Sequence, residues 1–308
     1  MKKLLIVYNK NSGMESYDEI ARNIGRELWA WEKDYYVCES IEDTINFRNG
    51  LNESEYHCCI ILGGDGTINS MLKRKGHSNL PLICLPTGTA NDISSALGMT
   101  LNMSNLAYLV SNIEKNTIGI DILTANGIPF ITTGGVGITS FVLAEYNHQR
   151  SLFASFNKVH KYFGKDIYKL LTIKNSFYKS RIKKKYRISW GEYSEVVDSS
   201  CVLITNQPKL GNDLMVAPAA KLDDGLFNVM ITTKTTQNLV ISDLLSMSKK
   251  NLPKDCIQFE TDELKVETID GTKINFFADG EIIGNSNKVD FGIRQKAQPM
   301  TLNRILEG

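Results

Sequence analysis

The sequence predicts an α/β domain with a parallel-type sheet over residues 1–123 and a β-rich domain, an antiparallel sandwich or barrel, over residues 124–291. Three observations lead to this prediction. Short apolar runs alternate with helix-like segments in the first part, as in parallel sheets covered by helices. The later apolar runs are strand-like and are separated by glycine or Asx turns. The length of 308 residues also exceeds that of one typical domain.

The elements of the first domain follow in strict alternation. Four short apolar runs are predicted as strands: LLIVYN, YYVCE, YHCCIILGG and PLICLP. Three segments between or after them are predicted as helices: ESYDEIARNIGRELWAW, IEDTINFRN and TINSMLKR. In the first of these helices, Ile20, Ile24 and Leu28 recur at helical spacing. The boundary with the second domain is expected in the turn ILTANGI.

The second domain is predicted to consist mainly of strands, with helical inserts near residues 151–175 and 236–250. The strand-like runs are IPFITTGGVGI, YRISWGEYSE, SSCVLITNQ, LFNVMITT, ELKVETI, TKINFFADGEII and KVDFGI. Many short strands with turn residues between them are typical of an antiparallel sandwich or barrel. We find no internal repeat and no low-complexity linker, so the two domains are expected to pack together.

Composition excludes several classes of protein. A hydrophobic content of 42% and a charged content of 22% are those of a globular chain and not of a disordered one. The four histidines are scattered without zinc-ligand spacing, so a zinc enzyme is not expected. None of the six cysteines forms a C-x-x-C pair, and most lie in apolar runs. We therefore expect free, buried thiols in a reducing cytoplasm.

The sequence predicts a cytoplasmic protein whose membrane contact is peripheral. The start MKKLLIVYNK has an apolar stretch too short for a signal peptide and is interpreted as the first strand. No apolar run approaches the roughly 18 residues that a spanning helix needs.

The first candidate binding loop is Gly63–Thr67, which lies between a predicted strand and a predicted helix. Adjacent glycines allow close backbone approach, and a helix N-terminus favours phosphate oxygens. The Asp65 carboxylate would repel a bare phosphate, so its presence suggests an intervening Mg²⁺ ion or ordered cation network. The alternative is a tight strand–helix turn in which Asp65 or Thr67 acts as a cap.

Two companion loops strengthen the binding interpretation. Pro86–Asp92 and Asn9–Gly13 also follow predicted strands and also contain glycine and polar side chains. In open parallel sheets, ligands bind outside the carboxyl ends of the strands. Three such loops together predict one nucleotide site, although none is a Walker A loop or a G-x-G-x-x-G fingerprint.

The motifs GGDGTINSM, LPTGTANDISSALG, GIDILTANG, APAAKLDDGLFNV and FFADGEI occur in that order. Together they resemble the diacylglycerol kinase catalytic-domain family, which includes bacterial lipid kinases, sphingosine kinases and ceramide kinases. The resemblance implies an α/β nucleotide-binding domain, a β-sandwich lipid-substrate domain and an active site in the inter-domain cleft. It also implies that residues from about 292 to 308 return to the first domain, and that ATP and Mg²⁺ are used to phosphorylate a lipid hydroxyl.

The resemblance also assigns individual residues. Those implied to contact the nucleotide are Asn9, Lys10, Asn11, Ser12, Gly13, Cys38, Gly63, Gly64, Asp65, Gly66, Thr67, Ile68, Asn69, Ser70, Gly88, Thr89, Asn91 and Asp92. Asp65, Asp92 and Asp121 are implied to form a cluster that orders water and Mg²⁺. A second Mg²⁺ site is implied at Asp224 with the carbonyls of Lys221 and Leu226, for which an Asp-Gly turn is the alternative. The sequence departs from the family pattern at Lys10, Cys38, Ser70 and Ile138, each of which weakens a nucleotide or substrate contact.

The segment Asp279-Gly280-Glu281 resembles the family's catalytic site, with Glu281 as proton acceptor and Asp279 beside it. If the segment is a strand, the two carboxylates lie on one face and can act together with Asp65. The alternative is a hairpin, because Asp-Gly is a strong type I′ turn signal.

One segment concentrates positive charge. Residues 151–187 contain eleven Lys or Arg and one acid, so they carry a net +10 while the rest of the chain carries −9. Eight aromatic residues are interleaved with them. This composition predicts docking to an anionic membrane surface and not to nucleic acid, with Lys183, Lys184 and Lys185 as contacts. The alternative is a solvated face whose aromatic residues belong to the core.

Two other functions and several lipids stay open. The chain could be a kinase of a soluble metabolite such as NAD, or a silent lipid- or nucleotide-binding protein. Diacylglycerol, phosphatidylglycerol, sphingoid bases and ceramide all present a suitable hydroxyl group. A homodimer is also open.

Overall fold

The computed structural model describes residues 2–9, 17–73, 77–88, 91–101, 105–152, 166–178, 181, 183–210, 214–233, 235–249 and 251–303. The chain divides into two compact units. Unit 1 is formed by residues Met1–Ile122 and Arg294–Gly308, and unit 2 by Leu123–Ile293.

Unit 1 alternates strands and helices, as the sequence predicts. Its strands are β1 (Lys3–Asn9), β2 (Lys33–Cys38), β3 (Tyr56–Gly63) and β4 (Leu82–Pro86). Its helices are α1 (Tyr17–Glu27), α2 (Ile41–Gly50), α3 (Asp65–Leu72), α4 (Asp92–Ala96), α5 (Leu106–Ser111) and α6 (Ile113–Asn116), with a 3₁₀ helix at Glu53–Glu55. The residues of β5 (Thr117–Ala125) and β18 (Lys288–Thr301) are divided between the units.

The sheet of unit 1 is parallel, in the order β2-β1-β3-β4, and Met300 of β18 pairs in parallel with Leu82. Its strands are almost continuously apolar because helices cover both faces of such a sheet. Cys58, Cys59 and Cys84 belong to these buried runs, and burial raises the pKa of the Cys58 thiol to about 12. All six cysteines are free, and only Cys256 is partly exposed. The predicted α/β class of the first domain is confirmed.

In its described residues, unit 2 contains most of the strands and three helices. Its strands are β6 (Ile128–Phe130), β7 (Thr133–Gly137), β8 (Lys184–Trp190), β9 (Tyr193–Ser199), β10 (Cys201–Thr205), β11 (Lys209–Leu210), β12 (Leu214–Met215), β13 (Phe227–Thr232), β14 (Ile257–Thr261), β15 (Glu263–Thr268), β16 (Ile274–Ala278) and β17 (Glu281–Ser286). Its helices are α7 (Ile138–Leu152), α8 (Asp166–Ser176) and α9 (Gln237–Ser248).

Two antiparallel sheets form the sandwich of unit 2. One sheet has the order β14-β13-β10-β7-β16-β17, and the other runs from the first half of β18 through β15 and β8 to β9. Their facing sides bury one core, to which Val202 and Phe276 contribute from the first sheet and Ile188 and Val266 from the second. The predicted β-sandwich is confirmed.

Strand β10 is buried along its whole length because the first sheet is covered on both faces. Val202 and Ile204 point into the sandwich core, whereas Cys201 and Leu203 pack with residues of α7, α8 and α9. Alternate residues of a strand face opposite sides, so each face finds an apolar partner. Among the described residues, no helix has the length and apolar character that crossing a membrane requires.

Candidate active site

The loop between β3 and α3 is built from glycine for steric reasons. A Cβ atom added at Gly63 would lie 2.5 Å from the Cβ atom of Thr67. Gly64 is the N-cap residue of α3, and no side chain caps the helix. The N–H of Thr67 donates to the Gly64 carbonyl at 3.0 Å, and the positive end of the helix dipole at this turn favours an anion.

The loops after β3 and β4 touch each other through their backbones. A Cβ atom added at Gly88 would lie 2.3 Å from the Cα atom of Gly64 and 2.8 Å from its nitrogen. The N–H of Thr87 also donates to the carbonyl of Gly63 at 3.3 Å. Only glycine allows this approach, which joins the two predicted binding loops into one surface at the carboxyl ends of neighbouring strands.

Asn91 holds the second loop in shape. Its φ of 55° is left-handed, a conformation that Asn tolerates better than most residues. Its side-chain oxygen accepts from the N–H of Gly88 at 2.9 Å, and its amide nitrogen donates to the Gly88 carbonyl at 2.7 Å. Thr89, the predicted nucleotide contact between them, lies outside the described residues. Asn91 therefore braces the loop around that position.

Asp65 links the two loops through its carboxylate. One oxygen accepts from the N–H of Asp92 at 3.0 Å and the other from the N–H of Ile93 at 3.2 Å. These are the first two residues of α4, so Asp65 satisfies two of the N–H groups that a helix start leaves without partners. The cap that the sequence left as an alternative for this aspartate is present, but it caps α4 and not its own helix.

The predicted water- and Mg²⁺-ordering cluster of Asp65, Asp92 and Asp121 stays a prediction. Asp121 is fully buried on β5, and its carboxylate accepts from the N–H of Lys296 at 2.7 Å. In the part of the chain that the structure describes, no group of three or more His, Cys, Asp or Glu side chains is arranged to hold a metal ion directly.

The other residues predicted for the nucleotide site differ in how they can contact a ligand. Gly66 is exposed, whereas the side chain of Ile68 is fully buried in the core and leaves only its backbone for such a contact. Thr67, Asn69 and Ser70 are also buried. The hydroxyl of Ser70 donates to the Gly66 carbonyl at 2.8 Å, and the Asn69 side-chain oxygen has no hydrogen-bond partner among the described residues.

The ends of β1 and β2 supply two further predicted contacts. Asn9 pairs in register with Cys38, so both lie at the same edge of the sheet. Asn9 is partly buried, and the Cys38 side chain is 2% exposed. Burial raises the pKa of the Cys38 thiol. Lys10, Asn11, Ser12 and Gly13 lie outside the described residues.

In unit 2, Asp279 and Gly280 form the two-residue turn between β16 and β17. Ala278 pairs with Glu281, and the φ angles of Asp279 and Gly280 are 49° and 80°. Two positive φ angles define a type I′ hairpin, which the Asp-Gly sequence favours. The expectation that strand alternation points both carboxylates the same way is therefore wrong, because Asp279 lies in the turn and only Glu281 in a strand.

The carboxylate of Asp279 anchors this turn to the preceding loop. Its Oδ1 atom accepts from the N–H of Thr132 at 2.8 Å and from the Thr132 hydroxyl at 2.7 Å. The N–H of Ile131 also donates to it at 3.2 Å. The N–H of Asp279 in turn donates to the carbonyl of Thr133 at 2.9 Å. Glu281, the first residue of β17, is exposed next to this anchored turn.

At the predicted second Mg²⁺ site, the structure has an Asx turn. The side chain of Asp224 accepts from the N–H of Leu226 at 3.2 Å, and Gly225 between them has a φ of 80°. Lys221 and Asp224 are both exposed. The turn alternative is thus present, while oxygen ligation of a cation at this turn stays a prediction.

Sequence reasoning missed a buried ion pair that supports α3 from its other end. Arg48 is 1% exposed, pairs with Glu53 at 2.5 Å and donates from Nε to the carbonyl of Met71 at 3.2 Å. A second guanidinium nitrogen donates to the hydroxyl of Ser78 at 2.8 Å. The sequence offered no signal, because an arginine on a surface helix is ordinarily exposed.

Comparison with known proteins agrees with this geometry. Residues 3–125 match the diacylglycerol kinase catalytic domain, and residues 148–305 match the YegS C-terminal NAD kinase beta sandwich-like domain. The chain belongs to the diacylglycerol kinase catalytic-domain family. The resemblance stated from the sequence motifs is therefore confirmed, and the family assignment indicates a lipid kinase.

Named relatives of this diacylglycerol kinase family member lie at low identity. A diacylglycerol kinase of Staphylococcus epidermidis is 26% identical over 238 residues, covering 76% of this chain and 71% of the relative. A protein of Alcanivorax borkumensis named "Probable lipid kinase YegS-like" is 27% identical over 304 residues, covering 92% and 91%. A crystal structure of a diacylglycerol kinase from Bacillus anthracis superposes with a TM-score of 0.71 at 17% identity, covering 99% and 98% of the two chains. This last likeness concerns the fold.

Proposed function

We propose that this family member is an ATP-dependent lipid kinase that transfers the γ-phosphoryl group to the hydroxyl of a diacylglycerol-like lipid. The observation that carries the proposal is the backbone contact between Gly64 and Gly88. It leaves two loops at neighbouring strand ends with partly exposed backbone and no room for side chains at the point of contact. A polyphosphate needs such a surface, because its oxygens bind backbone N–H groups at short range.

In this proposal, the start of α3 binds phosphate oxygens with the N–H groups that no side chain caps. Asp65 keeps the second loop in place by capping α4, and Asn91 sets its curvature. Phosphoryl transfer depends mainly on positioning and charge stabilisation, so a rigid pair of loops is the appropriate device. These residues orient the phosphates and need not move during the reaction.

The donor set around Asp65 fits Mg²⁺ held together with ATP. Each Asp65 oxygen accepts a backbone hydrogen bond from the start of α4, which fixes the orientation of the carboxylate. Hard oxygen donors, water and substrate phosphates are the usual partners of Mg²⁺. When bound, the ion would supply neutralising charge to the phosphates. Asp224 with the Lys221 and Leu226 carbonyls is the proposed second, structural site.

Glu281 is the proposed general base. Its carboxylate is on the first residue of a strand, beside a turn that Asp279 anchors through three donors. An exposed carboxylate on a fixed hairpin can accept the proton of a lipid hydroxyl as that hydroxyl attacks phosphorus. We assign Asp279 as a positioning residue, because its acceptor capacity is directed to the 131–132 backbone.

Transfer of label from γ-labelled ATP, followed by separation of lipid and aqueous phases, tests the proposal. Label in the lipid phase with dispersed dioctanoylglycerol is the expected result. Label in an aqueous product would instead support a soluble-metabolite kinase, and a lack of transfer with any acceptor would support a silent binding protein. Omission of Mg²⁺ should abolish transfer, since ATP phosphates then lack a neutralising cation.

A further inference from the structure

Helix α8 and the turn after it carry an unusual set of exposed side chains. Leu170, Phe177 and Tyr178 are 57%, 67% and 49% exposed. Lys174 lies between them in sequence, with 57% of its side chain exposed. Lys174 follows Leu170 by four residues, and Phe177 and Tyr178, just past the end of the helix, follow Lys174 by three and four residues, so the four lie on one side of the helical path. The solvent-facing side of a surface helix is normally polar, so this side is suited to a partner.

The inner side of the same helix is already occupied. Ile167 and Leu171 are each 7% exposed and belong to the apolar core beneath α7, α8 and α9. The exposed leucine and aromatic residues therefore do not compensate for a missing internal contact. We call Leu170, Lys174, Phe177, Tyr178 and Arg181 the docking face.

Positive charge borders these apolar side chains. The guanidinium of Arg181 lies 4.2 Å from the ring centre of Tyr178 and 5.2 Å from that of Phe141. Its nitrogen donates to the side-chain oxygen of Asn175, and its charge helps Lys174 to lower the pKa of the nearby Glu145 carboxyl. Arginine stacked on tyrosine combines a cation with an apolar surface.

Lys183, Lys184 and Lys185, which follow in the sequence, differ in whether their charge is paired within the protein. Lys184 binds Asp270 at 2.7 Å, and its hydrogen bond lowers the pKa of that carboxyl to about 2. Lys183 and Lys185 are exposed, and neither has an ion-pair partner in the described part of the chain. The structure thus narrows the sequence prediction from three lysines to two, since Lys184 is engaged within unit 2.

We propose that the docking face, together with Lys183 and Lys185, binds the surface of an anionic lipid bilayer. Leucine and aromatic side chains insert at the boundary between headgroups and acyl chains, and the neighbouring cations bind anionic headgroups. A second copy of this chain fits less well. Pairing the face with itself would bring Arg181 and two uncompensated lysines against the same charges.

Contacts within unit 2 connect this face to the hairpin that carries Glu281. Lys174 pairs with Glu145 of α7, and Asn175 donates to the same carboxylate at 3.0 Å. Farther along α7, Asn147 donates to the carbonyl of Gly280 at 3.5 Å. Docking would therefore hold the hairpin at a defined distance from the bilayer. This consequence rests on the proposed kinase function, whereas the docking itself does not.

Vesicle sedimentation of the full chain tests the docking face without requiring catalysis. One set of vesicles contains equal parts of phosphatidylcholine and phosphatidylglycerol, and the other contains phosphatidylcholine alone. We expect binding to the anionic set that weakens with added salt, as electrostatic attachment requires. Phe177→Ser with Tyr178→Ser should weaken it by about tenfold through loss of apolar insertion. Lys183→Gln with Lys185→Gln should weaken it by a similar factor.

The matched control replaces two other exposed apolar residues of unit 2. Tyr193 and Val196 on β9 are 68% and 54% exposed, and Tyr193→Ser with Val196→Ser should leave vesicle binding unchanged. Thermal unfolding of every variant verifies that the fold is intact. Wild-type binding to neither set of vesicles, or unchanged binding of the Phe177/Tyr178 variant, would overturn the proposal. The proposal would also be overturned if the Tyr193/Val196 control bound vesicles as weakly as the Phe177/Tyr178 variant. The same holds if the Phe177/Tyr178 substitutions converted a dimer to a monomer while vesicle binding was retained. Label transfer to dispersed dioctanoylglycerol, measured separately, reports on the kinase function alone.

Discussion

The glycine loops of unit 1 and the hairpin of unit 2 present carboxylates in two different ways. In unit 1, the backbones of Gly64 and Gly88 are in contact, and Asp65 ties one loop to the next helix. In unit 2, a type I′ turn is held by side-chain bonds from Asp279 to the 131–132 backbone. In both regions, the first acid of the motif accepts hydrogen bonds from the backbone of another segment. Under the proposed function, the start of α3 in unit 1 binds phosphate oxygens and Glu281 in unit 2 accepts the proton.

The glycine loop after β3 leads into α3, and the buried Arg48 binds the C-terminal end of that helix. We expect this contact to stabilise unit 1. Arg48→Met would remove the donor to the Met71 carbonyl at the end of α3 and leave Glu53 without its cation. Breaking a buried pair on one side should lower the free energy of unfolding by about 4 kcal/mol. Urea unfolding measures this loss, and hydrogen exchange should locate it in unit 1.

A matched control for Arg48 is the surface pair of Lys3 and Glu32, whose atoms are 3.0 Å apart. Lys3→Gln should leave the urea unfolding midpoint nearly unchanged, because surface ion pairs contribute little to stability. If both variants have the same small effect, the buried network does not support the loops.

Gly88→Ala breaks the loop contact directly. The new Cβ atom would require the two backbones to separate, and overpacking of this kind costs about 3 kcal/mol. ATP binding by calorimetry should also fall strongly, because the two loops would no longer form one surface. Gly66→Ala is the control: nothing lies within 4 Å of its added Cβ atom, so its unfolding midpoint should be unchanged or slightly higher. A Gly88→Ala protein as stable as the wild type would contradict the contact.

Substitutions of Asp279 test whether the first acid of the unit 2 hairpin has a structural role, as we predict. Asp279→Ala should lower the free energy of unfolding by about 2 kcal/mol, because the Ile131 and Thr132 donors lose their acceptor. Asp279→Asn keeps a turn residue that tolerates positive φ and one side-chain acceptor oxygen, so it should retain most of the stability and of the turnover. Thermal unfolding and label transfer check both. Loss of turnover in the Asn variant with full stability would make Asp279 a catalytic residue.

Two fully buried asparagines in unit 2 should give the smallest effects, and of different sizes. Asn175 donates to Glu145 and to the Leu171 carbonyl, whereas neither side-chain atom of Asn206 has a partner among the described residues. Asn175→Leu should cost about 2 kcal/mol by leaving its neighbours unpaired. Asn206→Leu should lie within about 0.5 kcal/mol of the wild type, because no hydrogen bond is lost. Equal losses in urea unfolding would show that Asn206 is in fact paired.

The sequence was sufficient where local patterns decide structure. The alternation of apolar runs and helices predicted the parallel sheet, and the Asp-Gly pair offered the correct hairpin as an alternative. These features depend on residues next to each other in the chain.

The features that could not be predicted from the sequence are contacts between segments far apart in the chain. Asp65 bonds to residues 27 and 28 positions later, and Arg48 to a serine 30 positions later. Asp121 accepts from the backbone N–H of Lys296, which lies 175 positions later. Residue type alone does not tell which backbone N–H a carboxylate will bind.

Turnover of a Glu281→Gln variant tests the account most directly. The substitution keeps the size of the side chain and removes its basicity, so label transfer to dioctanoylglycerol should fall by about 100-fold or more while ATP binding and the unfolding midpoint stay unchanged. Glu260→Gln, at another exposed strand position of unit 2, should transfer label like the wild type. A Glu281→Gln protein with wild-type turnover would contradict the assignment of the hairpin as the catalytic half of the site.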